Sequence, residues 1–153
     1  MKTAFIGHRK IFIKDIGERL AVAIKTEIEK GCTTFTMGMH GEFDSLALYS
    51  CRKLRNIYPN ILIEVAITSI NAIKKDSEID YADVKTVMYE IEDAHYKQQI
   101  ILSNRQMLDT CDTLICYVDT SKYRSGAKIA LRYAEKRRLK IINLFREEDK
   151  LFL

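Results

Sequence analysis

Thr113-Leu114-Ile115-Cys116-Tyr117-Val118, then a polar loop, then Ala127, Ala130, Leu131 and Ala134 at helical spacing, is the stretch that decides the fold. The first six residues are an unbroken apolar and β-branched run, the signature of a strand covered on both faces. The alanine-rich stripe behind them belongs to a helix that approaches a sheet closely. A buried strand followed by such a helix is one βα unit of a parallel sheet.

The same unit recurs outward in both directions. Ala4-Phe5-Ile6 is a short strand ending at Gly7, followed by Ile16, Leu20, Ile24 and Ile28 spaced by four. Asp15 and Glu18 have capping-box spacing ahead of that helix, and Gly31 supplies its stop. Thr33 to Met37 is a second strand, closed by Gly38. A helix from about Ser45 to Ile57 follows, ended by Pro59. Ile61 to Ile67 reads as strand three. Thr68 to Asp83 reads as a short helix plus polar loop, Thr86 to Tyr89 as strand four, and Ala94 to Leu108 as a helix. Lys140 to Phe145 closes the alternation. The expectation is one α/β domain over residues 1–153, with a Rossmann-like three-layer α/β/α architecture and a mostly parallel sheet.

Composition narrows the function classes. The 153 residues suit one core, and a single proline with six glycines leaves no room for long linkers. No apolar run reaches the roughly 18 residues of a membrane helix, so no membrane partner is expected. The start runs directly into Thr3-Ala4-Phe5-Ile6-Gly7, so no secretory signal is expected either. Cys32, Cys51, Cys111 and Cys116 form no CxxC pair and have no histidine at ligand spacing. No metal site is expected, no cofactor is indicated, and free thiols fit a cytoplasmic location. A net charge of +4 is too mild to imply nucleic acid. Lys136-Arg137-Arg138 with Lys140 reads as an exposed helix face without the interleaved aromatics of single-strand binders. The oligomeric state is open, a homo-oligomer included.

Open parallel sheets bind ligands at the carboxyl ends of their strands. That rule selects three loops. In the first, Gly7 allows a tight turn, while Arg9 is suited to fork onto a phosphate and His8 to hydrogen-bond it. The plainer reading is a turn with two solvated side chains. In the second, Gly38-Met39-His40-Gly41-Glu42-Phe43-Asp44 runs into a helix start, whose N–H groups favour anions. Asp44 there is either the N-cap or an acceptor for ribose hydroxyls, and the two roles are compatible. His40 is part of that site or merely exposed. In the third, Ser125, Gly126 and Ala127 are small enough for a phosphate to approach the backbone. Arg105, late in the preceding helix, either reaches over the strand ends as a cationic wall with Arg9 or stays on the surface paired with Asp109. Asp112 reads as structural.

These residues also resemble a known group. Ile6-Gly7-His8-Arg9 looks like the "TGHR" start of small bacterial and phage proteins of the SLOG superfamily. That superfamily groups the DprA DNA-processing proteins with the LOG phosphoribohydrolases and the YpsA-like proteins. Gly38-x-x-Gly41-x-Phe43-Asp44 is similar to the second-loop signature of one uncharacterised branch. Asn104-Arg105-x-Met107, Asp112 and Cys116-Tyr117-Val118 resemble its "NRxM…D…CYV" block, and Gly126-Ala127 falls at its "GGA". The resemblance runs from residue 3 to about residue 145. It implies a Rossmann-like sheet with a pocket for a nucleotide or nucleotide-derived ligand, bound or sensed at the C-terminal sheet edge. The alternatives it implies are a phosphoribohydrolase or N-glycosidase acting on nucleoside monophosphates, and a DprA-like nucleic-acid-associated protein. LOG enzymes cleave with a "PGGxGTxxE" loop and an upstream arginine, a position that Arg105 resembles. Here the loop reads Tyr123-Arg124-Ser125-Gly126-Ala127-Lys128-Ile129-Ala130. Its proline and first glycine are missing, and Ile129 or Ala130 stands near the catalytic glutamate's place, so no catalytic residue is assigned.

Overall fold

The structure is a computed structural model that describes residues 1–67, 84–88, 96–122 and 124–152. Its elements run β1 (Lys2–Gly7), α1 (Ile16–Glu29), β2 (Thr34–Met37), α2 (Glu42–Arg55), β3 (Leu62–Ile67), β4 (Val84–Met88), α3 (Tyr96–Asp109), β5 (Thr113–Tyr117), α4 (Gly126–Lys136), β6 (Lys140–Asn143) and a final 3-10 turn (Glu147–Phe152). The reading of 68–83 as helix plus loop lies outside the described residues, as do Tyr89 and the expected first residues of α3, Ala94 and His95.

Six strands form one sheet in the order β4-β3-β2-β1-β5-β6, and all five pairings are parallel. The chain moves outward from β1 to β4 and then returns to β5 on the other side of β1. Side chains alternate across this sheet. Phe5, Phe35, Met37, Ile63, Ile115 and Tyr117 pack with residues of α1 and α2, whereas Ala4, Ile6, Leu114, Cys116 and Val118 pack with Met107 and Leu108 of α3 and the stripe of α4. The architecture is therefore Rossmann-like α/β/α, and both buried faces explain the continuous apolar runs of β1 and β5.

Two local expectations are corrected. The box at Asp15 and Glu18 does not form. Asp15 makes no capping bond, because its backbone (φ −90°, ψ 9°) is not extended and its carboxylate faces Arg19 at 3.0–3.1 Å. Helix α2 begins at Glu42 rather than Ser45, so its N-cap is Gly41 and Asp44 is the third helical residue. Gly31 does stop α1. Its φ of +101° is the left-handed conformation, and the Cys32 N–H closes back on the Glu27 carbonyl at 2.9 Å.

Gly7 has a different reason to be glycine. A Cβ there would lie inside the ring of Phe43, which is fully buried at the start of α2. The missing side chain lets α2 seat its first turn beneath the end of β1. Gly7→Ala is expected to lower stability by about 1–3 kcal/mol through overpacking, read as a lower urea midpoint. An unchanged midpoint would mean that the α2 start is free to shift.

Candidate functional site

The topology reverses between β1 and β5, where the strand ends open into a cleft of about 570 Å³. Clefts at such reversal points are the ligand sites of open α/β sheets, and this volume lies in the usual small-ligand range. Four segments line it: Ile6-Gly7-His8-Arg9, then His40 and Asp44, then Lys97, Ile100, Ile101 and Asn104 of α3, then Arg124 to Ala127 with Ile129.

The first loop is held from two sides. The Glu42 N–H donates to the Arg9 carbonyl at 2.8 Å, and the Glu42 carboxylate accepts the Ile11 N–H at 2.6 Å. Gly41 permits this contact, since a Cβ on it would sit 2.6 Å from the Arg9 Cα. Arg9 is thereby fixed at the cleft rim with its side chain exposed. His8 is buried and structural in its bonding. Its Nε2 accepts the Asp119 N–H at 2.9 Å, which ties the β1 loop to the β5 loop and places the ring proton on Nδ1. Burial lowers its pKa, with Lys122 adding to the effect and Asp119 opposing it, which agrees with an Nε2 that accepts a hydrogen bond. The reading of His8 as a solvated side chain is corrected by this bond.

Asp44 is the chemically distinctive group. Its Oδ2 accepts the His40 N–H at 2.9 Å, so it reaches back across the helix start without being the N-cap. Burial outweighs that bond and pushes its pKa up from 3.8 to about 6. The carboxyl is thus half-ionised near pH 6, which suits exchanging a proton with a ligand. His40 lies beside it, half-buried, with Nε2 enclosed and unpartnered. Its pKa is lowered by burial and by Arg9. Gly38 lies behind this pair, and a Cβ on it would be 3.1–3.2 Å from His40 and Asp44.

On the opposite wall, Ser125 caps α4 by accepting the Lys128 N–H at 3.0 Å. The N–H groups of Gly126 and Ala127 meet no acceptor among the described residues, and a Cβ on Gly126 would meet open space. An anion is favoured there by the unpaired donors and the helix dipole. Asp119, at the start of the same loop, bonds Ser121 through its side chain and shapes the turn.

Of the residues expected at the site, Gly7, His8, Arg9, His40, Asp44, Ser125 and Gly126 line one cleft, Gly38 lies behind it, and Gly41 lies on the far side of the Arg9 loop. Arg105 is not brought in. It is exposed, with its guanidinium 5.4 Å from the ring centre of Tyr133, and it lines a neighbouring groove. Nor does it pair with Asp109, which instead engages Arg137 at 3.3 Å and the Tyr133 hydroxyl at 2.5 Å. Asp112 is structural, accepting the Lys2 N–H at 2.9 Å. The α3 residues Lys97, Ile100, Ile101 and Asn104 were missed. Their spacing of three, four and seven is a helical stripe that marks the cleft face and excludes Arg105 by one position. Among the described residues no cluster of three or more His, Cys, Asp or Glu is placed to hold a metal, and no helix is long and apolar enough to cross a membrane.

No family model and no curated protein sequence matches the chain.

Proposed function

We propose that the chain binds a nucleotide or nucleotide-derived ligand in the cleft between β1 and β5. The observation that carries this reading is the opposition of unlike surfaces in one cleft. The N–H groups of Gly126 and Ala127, which meet no acceptor among the described residues, offer positive potential with Arg9, Lys97 and Arg124, while Ile6, Ile100, Ile101 and Ile129 offer an apolar wall. A phosphate suits the first and a flat base the second. Asp44, opposite, is suited to hydrogen-bond a ribose hydroxyl. This division of labour agrees with the SLOG-like motifs of the first, second and third loops, and membership of that superfamily is part of the proposal. A reducing, cytoplasmic setting belongs to it too, since all four cysteines are free and Cys32, Cys51 and Cys116 are buried.

A screen of melting temperature against nucleotides, NAD and ADP-ribose derivatives tests the reading, because a ligand of the folded state raises stability by mass action. At least one phosphorylated nucleoside is expected to raise the melting temperature, and its unphosphorylated nucleoside to do so far less. Equal responses to both would remove the phosphate from the reading.

The raised pKa of Asp44 supports a second reading, an N-glycosidase of nucleoside monophosphates with Asp44 as general acid. Release of free base, abolished in Asp44→Asn, would select it over simple binding.

A further inference from the structure

A second surface continues the cleft sideways. Arg124, Ser125 and Ile129 line both the cleft and an adjoining groove of about 300 Å³, which follows α4 through Lys128, Arg132, Tyr133 and Lys136. From Ser125 to Lys136 the stripe recurs every three or four residues, which spans about 16 Å of helix. Arg105 of α3 closes the far side. Five of the groove's eight lining residues are Arg or Lys, and none is acidic, so the charge is concentrated on one wall-to-wall strip.

The groove is also organised. Tyr133 is fixed by its hydroxyl bond to Asp109, and its ring carries the Arg105 guanidinium on its face. Lys128 donates to the Lys122 carbonyl at 2.9 Å. Among the described residues neither Arg105, Lys128 nor Lys136 pairs with a carboxylate, and Arg132 has only an exposed contact with Glu135. Arg105, Lys128 and Lys136 line the groove together with Arg132; cations gathered on one strip repel one another, and an extended polyanion relieves that repulsion.

We infer that the ligand of the cleft carries a polyphosphate chain, whose first phosphate sits on the start of α4 and whose later phosphates lie along the groove against Lys128, Arg105 and Arg132. This rests on the nucleotide reading of the cleft and adds a preference that the cleft alone does not give, for tri- over monophosphates. Neutralisation comes from side chains on both walls, and the forked guanidinium groups suit adjacent phosphate oxygens.

The test is calorimetric binding of the mono- and triphosphates of adenosine, guanosine, cytidine and uridine at fixed ionic strength. At least one base is expected to show a triphosphate preference of tenfold or more. Lys128→Gln with Arg132→Gln should erase most of that preference and leave the monophosphate affinity unchanged. Lys25→Gln with Lys53→Gln, exposed positions on α1 and α2, removes the same charge elsewhere and should leave the preference in place. Equal affinities for mono- and triphosphate would overturn the groove and leave the cleft reading standing. Loss of the preference in both double variants would reduce it to net charge and overturn the groove as well. Failure of all eight to bind would overturn the groove inference, and the cleft reading falls with it if NAD and ADP-ribose derivatives also leave the melting temperature unchanged.

Discussion

Asp149→Ala should lower the unfolding free energy by about 3–5 kcal/mol, the range for stranding one partner of a buried ion pair. Asp149 lies in the last turn of the chain with its side chain only 2% exposed, and Arg19 of α1, 7% exposed, meets it with two nitrogens at 2.6 and 2.9 Å. The same carboxylate accepts the Tyr117 hydroxyl at 3.2 Å and the Arg146 N–H at 2.9 Å. Removing it breaks four hydrogen bonds, two of them from Arg19, which keeps only Asp15 and the Leu144 carbonyl. Arg19 holds the Asp149 pKa below the ordinary value. Its stabilisation is therefore full above the unfolded-state value near 4 and fades as pH falls through the lower folded value. Chemical denaturation from pH 7 to pH 3 should show the gap between wild type and variant narrowing in acid. A loss under 1 kcal/mol at pH 7 would mean that the final turn is not docked through this pair.

Asp44→Asn should do the opposite and stabilise the fold above pH 6 by about 2–3 kcal/mol. The pKa of Asp44 is raised from 3.8 to about 6, and each pH unit between folded and unfolded values is worth about 1.4 kcal/mol. Below pH 4 the carboxyl is protonated in both states and gives no difference. Between pH 4 and 6 the unfolded chain ionises while the folded one does not, so wild-type stability falls over that window and then levels off. Asparagine keeps an acceptor for the His40 N–H and carries no charge. A parallel pH profile for wild type and variant would show that the carboxyl is solvated. A residue that destabilises the fold at neutral pH and faces a cleft is the pattern of a group retained for ligand chemistry, so the same variant should lose nucleotide affinity while gaining stability.

The sheet was readable because strands buried on both faces leave unbroken apolar runs, as β1 and β5 do, and because Gly7 closes β1 and Gly38 follows β2. The rule that ligands gather at carboxyl strand ends then placed Gly7, Asp44 and Gly126 on one edge. Side-chain direction was less readable. Asn104 and Arg105 differ by 100° around α3, and sequence gives no reference direction until the helix is packed, so the choice between cleft and surface for Arg105 stays open in the sequence while Asn104 takes the cleft face. His8 was equally opaque, because its bond to the Asp119 N–H spans 111 positions and depends on β1 and β5 being neighbours. Asp149 offered no signal at all, as its partners Arg19 and Tyr117 meet it only through the tertiary fold.

The most direct measurement is a backbone-amide NMR titration with the nucleotide that most raises the melting temperature. The N–H signals of Gly7, Gly126 and Ala127 should move first and furthest, with a common saturation curve, and those of Gly126 and Ala127 should move downfield as they bond phosphate. Asp44→Asn should weaken that curve without altering the unliganded spectrum beyond α2 and the loop leading into it, where the His40 N–H bonds Asp44. Shifts confined to α1 and the final turn, or no shift at Gly126 and Ala127 at saturation, would contradict the cleft between β1 and β5 as the ligand site.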